Sequence, residues 1–261
     1  MPEGHTVHRI AKRFEKDFQE KKVKVVSPQG RFTDAQLVSG KKLTSAQAHG
    51  KQLFLFFGKT AIRIHLGIYG KWSFQSFKGI EPAPKGQVRA RFLTNSMLAD
   101  LRGPTACEVV DMQGFERAIS KLGPDPLRKD DGSLETFLKS IKSSSRSIAE
   151  LLMDQSKIAG IGNVYRAELL FRAKVNPLTP GKKLTRETIE NLWLDAEKLM
   201  PIGVRTGLML TRDGYMKASV NLEDRYYVYK RTGEPCRECG GAVSMKVLSG
   251  RKLYWCRRCQ K

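Results

Sequence analysis

Four cysteines near the C-terminus constrain the fold of this chain more than any other feature. Cys236-Arg237-Glu238-Cys239 and Cys256-Arg257-Arg258-Cys259 form two CxxC pairs with sixteen residues between them. That is the spacing of a four-cysteine zinc hairpin. Four thiolates complete a tetrahedral sphere, so one structural Zn2+ is expected, with no open position for catalysis. Residues 242–248 and 252–255 read as two strands about Ser249-Gly250, which sets Arg251 near the hairpin tip. The fifth cysteine, Cys107, stands alone; four in the last 26 residues is metal usage rather than a disulfide framework.

The other end of the chain carries a second chemical signal, Met1-Pro2-Glu3-Gly4. Once Met1 is removed, Pro2 becomes a secondary amine with a free lone pair. An α-amine titrates near ~7.7–8.0, and nearby positive charge raises its unprotonated fraction. Such an amine attacks an aldehyde-like carbon to give an iminium ion, which is cationic without taking up a proton. Glu3 follows as an acid or base. Proline at position 2 is also common in chains that do nothing of the kind, so the remaining sequence decides.

With 261 residues and 40% hydrophobic content, the chain is long enough for two domains with real cores. Its net charge of +21 and pI of about 9.9 point to a polyanionic partner, although lysines and arginines spread along the whole chain do not locate a groove. No apolar run approaches the ~20 residues that span a bilayer, and the basic N-terminus lacks a signal-peptide apolar core. A soluble, cytoplasmic, nucleoid-associated protein is expected.

In chain order, residues 5 to about 20 read as an amphipathic helix through Val7, Ile10, Ala11, Phe14 and Phe18. Residues 23–112 have β texture, with short runs at 23–26, 52–57, 62–66, 71–74, 87–93, 97–101 and 107–111. An antiparallel sandwich or barrel follows. Lys51 sits at the mouth of the run at 52–57, a place where lysines are usually solvated. Ile68 and Tyr69 lie in a turn between Gly67 and Gly70, either buried or forming a wedge for a base stack. Gly123, Pro124 and Pro126 end the β texture. Helices are expected at 133–141, 147–153, 165–173 and 185–200, with another at 202–210. Gly160-Ile161-Gly162-Asn163 feeds one helix N-terminus, a ready phosphate site, and Asn163 is also a natural N-cap.

The ordered set of motifs resembles the formamidopyrimidine-DNA glycosylase / endonuclease VIII family, which excises oxidised bases from DNA. The resemblance runs from Met1-Pro2-Glu3-Gly4 through Gly50-Lys51, His65-Leu66-Gly67, Leu122-Gly123-Pro124-Asp125 and Leu152-Met153-Asp154. It continues through Gly160-Ile161-Gly162-Asn163-Val164-Tyr165 and Gly233-Glu234-Pro235-Cys236 to Gly250-Arg251 and Cys259-Gln260. It implies an α+β fold. An antiparallel β-sandwich with a leading helix (1–120), a linker (121–132) and a helical helix–two-turn–helix domain (133–225) would precede a four-cysteine zinc β-hairpin (226–261). It implies Pro2 as nucleophile at sugar C1′ and Glu3 as the acid/base that opens the deoxyribose. Lys51 would assist β-elimination, and Arg251 would support δ-elimination. Asn163, and Lys121 as in the endonuclease VIII branch, would bind DNA.

Departures from the formamidopyrimidine pattern concern the substrate. Ile68 stands where that branch has methionine, and Ile68-Tyr69 resembles the endonuclease VIII wedge, although Gly67 replaces its glutamine. Arg102 of the branch's arginine–phenylalanine wedge is kept, but Pro104 falls where the aromatic belongs. The segment 211–231 is short for a loop that grips 8-oxoguanine, and Tyr254-Trp255 is endonuclease VIII-like. The expectation is a monomeric bifunctional glycosylase and abasic-site lyase acting on oxidised pyrimidines in duplex or single-stranded DNA. A formamidopyrimidine or 8-oxoguanine glycosylase, a non-catalytic zinc-containing DNA-binding protein and an RNA-bound zinc ribbon are the competing readings.

Overall fold

The computed structural model describes residues 2–128, 130–217 and 219–261. Met1, on whose removal the Pro2 amine depends, lies outside the described residues, as do Lys129 of the expected linker and Ala218 of the expected helical domain. The chain divides into two compact units, Met1–Ser120 and Lys121–Lys261.

The first unit opens with helix α1 (Gly4–Phe18), whose Val7, Ile10, Ala11, Phe14 and Phe18 are all buried. The apolar stripe read from the sequence is therefore its core face. Two four-stranded antiparallel sheets follow. One has the order β2 (Ser45–His49), β3 (Gln52–Phe57), β4 (Thr60–His65), β8 (Ala106–Asp111). The other runs β1 (Lys24–Val26), β6 (Ala90–Leu93), β7 (Met97–Arg102), β5 (Lys71–Ser76). Helix α1 packs on β2 and β3, while Phe14 meets Trp72, Phe74 and Phe92 of the second sheet edge-on at 4.9–5.6 Å. The helix thus touches both sheets.

Strand β3 is buried on both faces, which explains its unbroken apolar run. Its outer face meets helix α2 (Met112–Ile119) through Phe54, Phe56 and Phe115. Sequence reasoning missed α2 and β2. Strand β2 buries only Ala46 and Ala48, small residues that give little β signal.

The second unit contains α3 (Ser133–Lys142), α4 (Ile148–Leu151), α5 (Asn163–Arg172), α6 (Arg186–Thr206) and the hairpin β9 (Val243–Leu248) with β10 (Arg251–Cys256). Two helices expected at 185–200 and 202–210 are one, which runs through Pro201 to a left-handed Gly207. Proline weakens a helix interior, but Leu199, Met200, Gly203 and Val204 keep one face buried across it, and that packing holds the helix together. Leu253 and Trp255 of β10 belong to the same apolar core as Phe137, Tyr165 and Trp193. The hairpin is therefore built into this unit.

Candidate functional site

Glu3 is the N-cap of α1. Its carbonyl accepts from the Thr6 N–H at 2.9 Å and the Val7 N–H at 3.4 Å, yet its side chain makes no capping hydrogen bond. That side chain is buried, with 0% exposure. Burying a carboxylate is costly, and the positive end of α1 offsets part of the cost. Half-buried Pro2 immediately precedes it. One residue into the helix, burial followed by neighbouring positive charge, including His8 and Arg9, lowers the His5 imidazole to about 4.

The β2–β3 hairpin along which α1 packs turns at Gly50-Lys51. His49 pairs with Gln52, and Gly50 has φ +57°, the pattern of a two-residue type II′ turn. Lys51 is thereby fixed at the turn. Gln52 faces His65 across β3–β4. Burial first, then the charges of Lys51 and Arg63, hold His65 below its ordinary value. A neutral imidazole beside a lysine ammonium was not found by sequence reasoning; its signal is the register of two short strands.

The turn after β4 exposes its apolar residues: Ile68 is 48% and Tyr69 84% exposed. Gly70 donates its N–H to the Leu66 carbonyl at 2.9 Å, and a Cβ there would stand 2.2 Å from that oxygen. Only glycine closes this turn so tightly. Burying a large apolar side chain is worth about 1.5–3 kcal/mol, so two held in solvent fit a wedge rather than a core. Arg102 is different. Its guanidinium donates to the Lys85 carbonyl (3.1 Å), Ser73 Oγ (2.8 Å) and Asp100 Oδ2 (3.0 Å). It is anchored inside the unit, beside the buried Arg91–Asp100 pair at 2.7 Å.

In the second unit the N-cap of α5 is Gly162, so Asn163 is the first helical residue and not the cap. Its amide donates to the Lys252 carbonyl at 2.9 Å, and its Oδ1 accepts from Arg166. Arg166 also reaches the Lys252 carbonyl at 3.2 Å. Arg251, next to Lys252, pairs with Leu248 across a turn in which Ser249 has φ +48° and Gly250 φ +72°. Lys121 is exposed in the turn that opens this unit.

All four cysteine Sγ atoms lie within 4.8 Å of one another, with Cys236–Cys259 at 3.8 Å and Cys239–Cys256 at 3.4 Å. Four sulfurs about 2.3 Å from a tetrahedral zinc stand about 3.8 Å apart. The cluster fits the ion.

Three family models match this architecture in order. They are the formamidopyrimidine-DNA glycosylase N-terminal domain over residues 1–117, its H2TH domain over 122–213 and a zinc finger found in FPG and IleRS over 233–261. Endonuclease 8 1 of Mycobacterium tuberculosis is 42% identical over 269 residues, covering 100% of each chain. The chain belongs to the formamidopyrimidine-DNA glycosylase / endonuclease VIII family. The formamidopyrimidine-DNA glycosylase of Legionella pneumophila is 30% identical over 231 residues, covering 86% of this chain and 83% of that one. A crystal structure of Lactococcus lactis Fpg with DNA containing N7-benzyl-Fapy-dG shares the fold, with TM-score 0.84, 20% identity and full coverage of both chains. Within the family this chain is endonuclease VIII-like.

The finger of this family member holds one structural zinc. Two side chains missed in the sequence fasten its surroundings. Gln260 accepts from the Cys256 N–H and donates to the Val175 carbonyl, both at 2.9 Å. Glu168, fully buried, accepts from Thr211 Oγ1 and the N–H groups of Tyr227, Val228 and Tyr229 at 2.7–2.9 Å. It closes the two ends of the segment noted above as short. Burial pushes this carboxyl up, and the four donors pull it back. No helix among the described residues is long and apolar enough to cross a membrane.

Proposed function

We propose that this chain is a bifunctional DNA glycosylase and abasic-site lyase of base excision repair. The carrying observation is Glu3: a fully buried carboxyl group at the start of α1, directly after Pro2. The neutral Pro2 nitrogen attacks C1′ of the damaged nucleotide as the C1′–base bond breaks, and the proton that the nitrogen gives up leaves with the base. The Glu3 carboxyl, in its protonated form, gives its proton to the sugar ring oxygen, the ring opens, and nitrogen and C1′ form an iminium. The iminium acidifies C2′–H; loss of that proton expels the 3′ phosphate, and loss of the C4′ proton then expels the 5′ phosphate. Water finally releases the proline. Lys51 assists the first elimination and Arg251 the second.

The base must leave the duplex first, at a cost of a few kcal/mol. Exposed Ile68 and Tyr69 suit the vacated space. Lys51 in the first unit and Lys121, Asn163 and Arg251 in the second are the proposed DNA-backbone contacts. Arg102, held by Lys85, Ser73 and Asp100, is a further proposed DNA contact. The proposed division is a catalytic sandwich (1–120), linker (121–132), helical domain (133–225) and zinc finger (226–261), acting in the cytoplasm at the nucleoid. Oxidised pyrimidines are the proposed substrates, supported by the Ile68-Tyr69 wedge, by Pro104 in place of an aromatic, and by the short segment that Glu168 closes.

The test is borohydride trapping of the wild-type protein on duplexes carrying thymine glycol, dihydrouracil, 8-oxoguanine or an abasic site. Covalent adduct and strand cleavage are expected on the pyrimidine lesions and the abasic site. Binding without adduct on all four would mean a DNA-binding protein that lacks the chemistry, and adduct confined to 8-oxoguanine would reverse the lesion class.

A further inference from the structure

The second unit contains a concavity of about 280 Å³ that Arg146, Glu150, Asp154, Arg166, Ser249 and Arg251 help to line. Three arginines face two carboxylates there, and both carboxylates are already engaged. Glu150 accepts from Ser147 Oγ at 2.6 Å and from Ser249 Oγ at 3.3 Å. Asp154 accepts from the Ser156 N–H at 3.1 Å and its Oγ at 2.7 Å, and from Arg146 at 2.8 Å. The excess charge is positive, and the carboxylates orient cationic and hydroxyl groups.

Arg146 is the residue that the roles assigned so far leave out. Its backbone is fixed: its carbonyl accepts from the Gly181 N–H at 3.0 Å, and Ser147 bridges Pro180. Its side chain stays 52% exposed. Of the five N–H donors a guanidinium carries, one group, Nη1, is held by Asp154. A fixed backbone and one anchored nitrogen leave a planar fork pre-oriented toward an oxyanion, which lowers the entropy lost when one binds.

We propose that Arg146 is a further DNA-phosphate contact, reaching from the loop before α4 into the concavity that Arg251 enters from the hairpin. The proposal rests on the DNA-repair reading above and adds to it a residue on the helical side. The ligand is a backbone phosphodiester of the damaged strand. Glu150 serves the same site indirectly, because its bond to Ser249 steadies the turn that precedes Arg251.

The test measures binding to a duplex with a reduced abasic site by fluorescence anisotropy, from low to physiological salt. Arg146→Gln and Arg251→Ala are each compared with wild type. One lost phosphate contact lowers the log–log salt slope by about 0.9, and Arg146→Gln is expected to show that loss, with Arg146→Lys restoring most of the slope. If Arg251→Ala lowers the slope and Arg146→Gln does not, this inference fails while the assignment of Arg251 stands. If neither lowers it, the phosphate reading of the whole concavity falls with it. Zinc content and melting temperature show whether Arg146→Gln is folded. Dicarbonyl labelling of the wild-type protein, read by mass spectrometry, needs no variant: Arg146 should react in the free protein and be protected by the duplex. Equal labelling with and without DNA overturns the proposal.

Discussion

The side-chain amide of Asn163, at the start of α5, donates to the backbone carbonyl of Lys252 in the zinc hairpin at 2.9 Å. Helix and hairpin are therefore tied together next to Arg251, where Arg166 of the same helix also reaches the Lys252 carbonyl at 3.2 Å. Asn163→Ala removes the amide's bond and leaves buried polar groups to find new partners, which costs about 1–3 kcal/mol. The expected result is a lowered melting temperature together with weaker DNA binding and less δ-elimination product, because the tip carrying Arg251 loosens. Normal stability with weak binding would assign Asn163 to the DNA alone.

Zinc loss should spread beyond the finger. Leu253 and Trp255 pack in the helical core, and zinc binding to such sites is worth ~10–16 kcal/mol coupled to folding. Cys239→Ser should lower the melting temperature of the second unit and abolish lesion binding, while the first unit keeps its fold, as read by its own amide spectrum. Metal analysis should find one zinc per wild-type chain; active protein without zinc contradicts the assignment.

Stability should fall with acid through His5. Its folded value of about 4 lies below the ordinary 6.5, so between these values the unfolded chain binds more protons. Stability is therefore intact above about pH 6.5, declines as pH falls, and has lost its full share below about pH 4. A gap of about 2.5 units corresponds to about 3 kcal/mol. His5→Gln should flatten the denaturant midpoint over this window. An unchanged pH profile would mean that His5 is not buried neutral.

Lys51 and His65 should titrate as neighbours. Lys51 is the second cause, after burial, of the lowered His65 value. Lys51→Ala should move the His65 imidazole up toward 6.5 in an NMR titration and lower the DNA salt slope by about 0.9. A stationary His65 signal would separate the two side chains.

The wedge should matter for duplexes alone. Tyr69 is 84% exposed, so Tyr69→Ala should change stability by less than about 0.5 kcal/mol. Excision from duplex DNA should drop severalfold, with single-stranded substrate processed as before. An equal loss on both substrates would place Tyr69 in the chemistry.

Much of this was legible in the sequence, for identifiable reasons. The zinc hairpin shows because ligand spacing is local. Helix α1 shows because a full apolar stripe repeats through Phe14 and Phe18. The positions of Pro2, Glu3 and Lys51 came through motifs, each held within a few residues of chain. What stayed hidden depends on distant partners. Arg102 is legible as the arginine of a family motif, but its bonds to Lys85, Ser73 and Asp100 are not, because the fold brings those partners to it. Asn163 reads as a cap as well as a phosphate contact, but the cap is Gly162, and Lys252, far along the chain, lies at its amide. Glu168 has no local pattern at all, since its donors lie some 43–61 residues away.

The central claim is that Pro2 and Glu3 divide the chemistry, and a two-substrate trapping assay tests it most directly. Oxidised-pyrimidine and preformed abasic duplexes are each incubated with borohydride and three proteins: wild type, a form whose Pro2 nitrogen is blocked by an N-terminal extension, and Glu3→Gln. The blocked form should bind both duplexes and trap neither, because its nitrogen is an amide. Glu3→Gln should lose excision of the oxidised base by several orders of magnitude, about 4 kcal/mol for each thousandfold. It should keep much of its lyase activity on the abasic site, where the sugar already opens. A trapped adduct from the blocked form would contradict the account and move the nucleophile to a lysine, with Lys51 the first to examine.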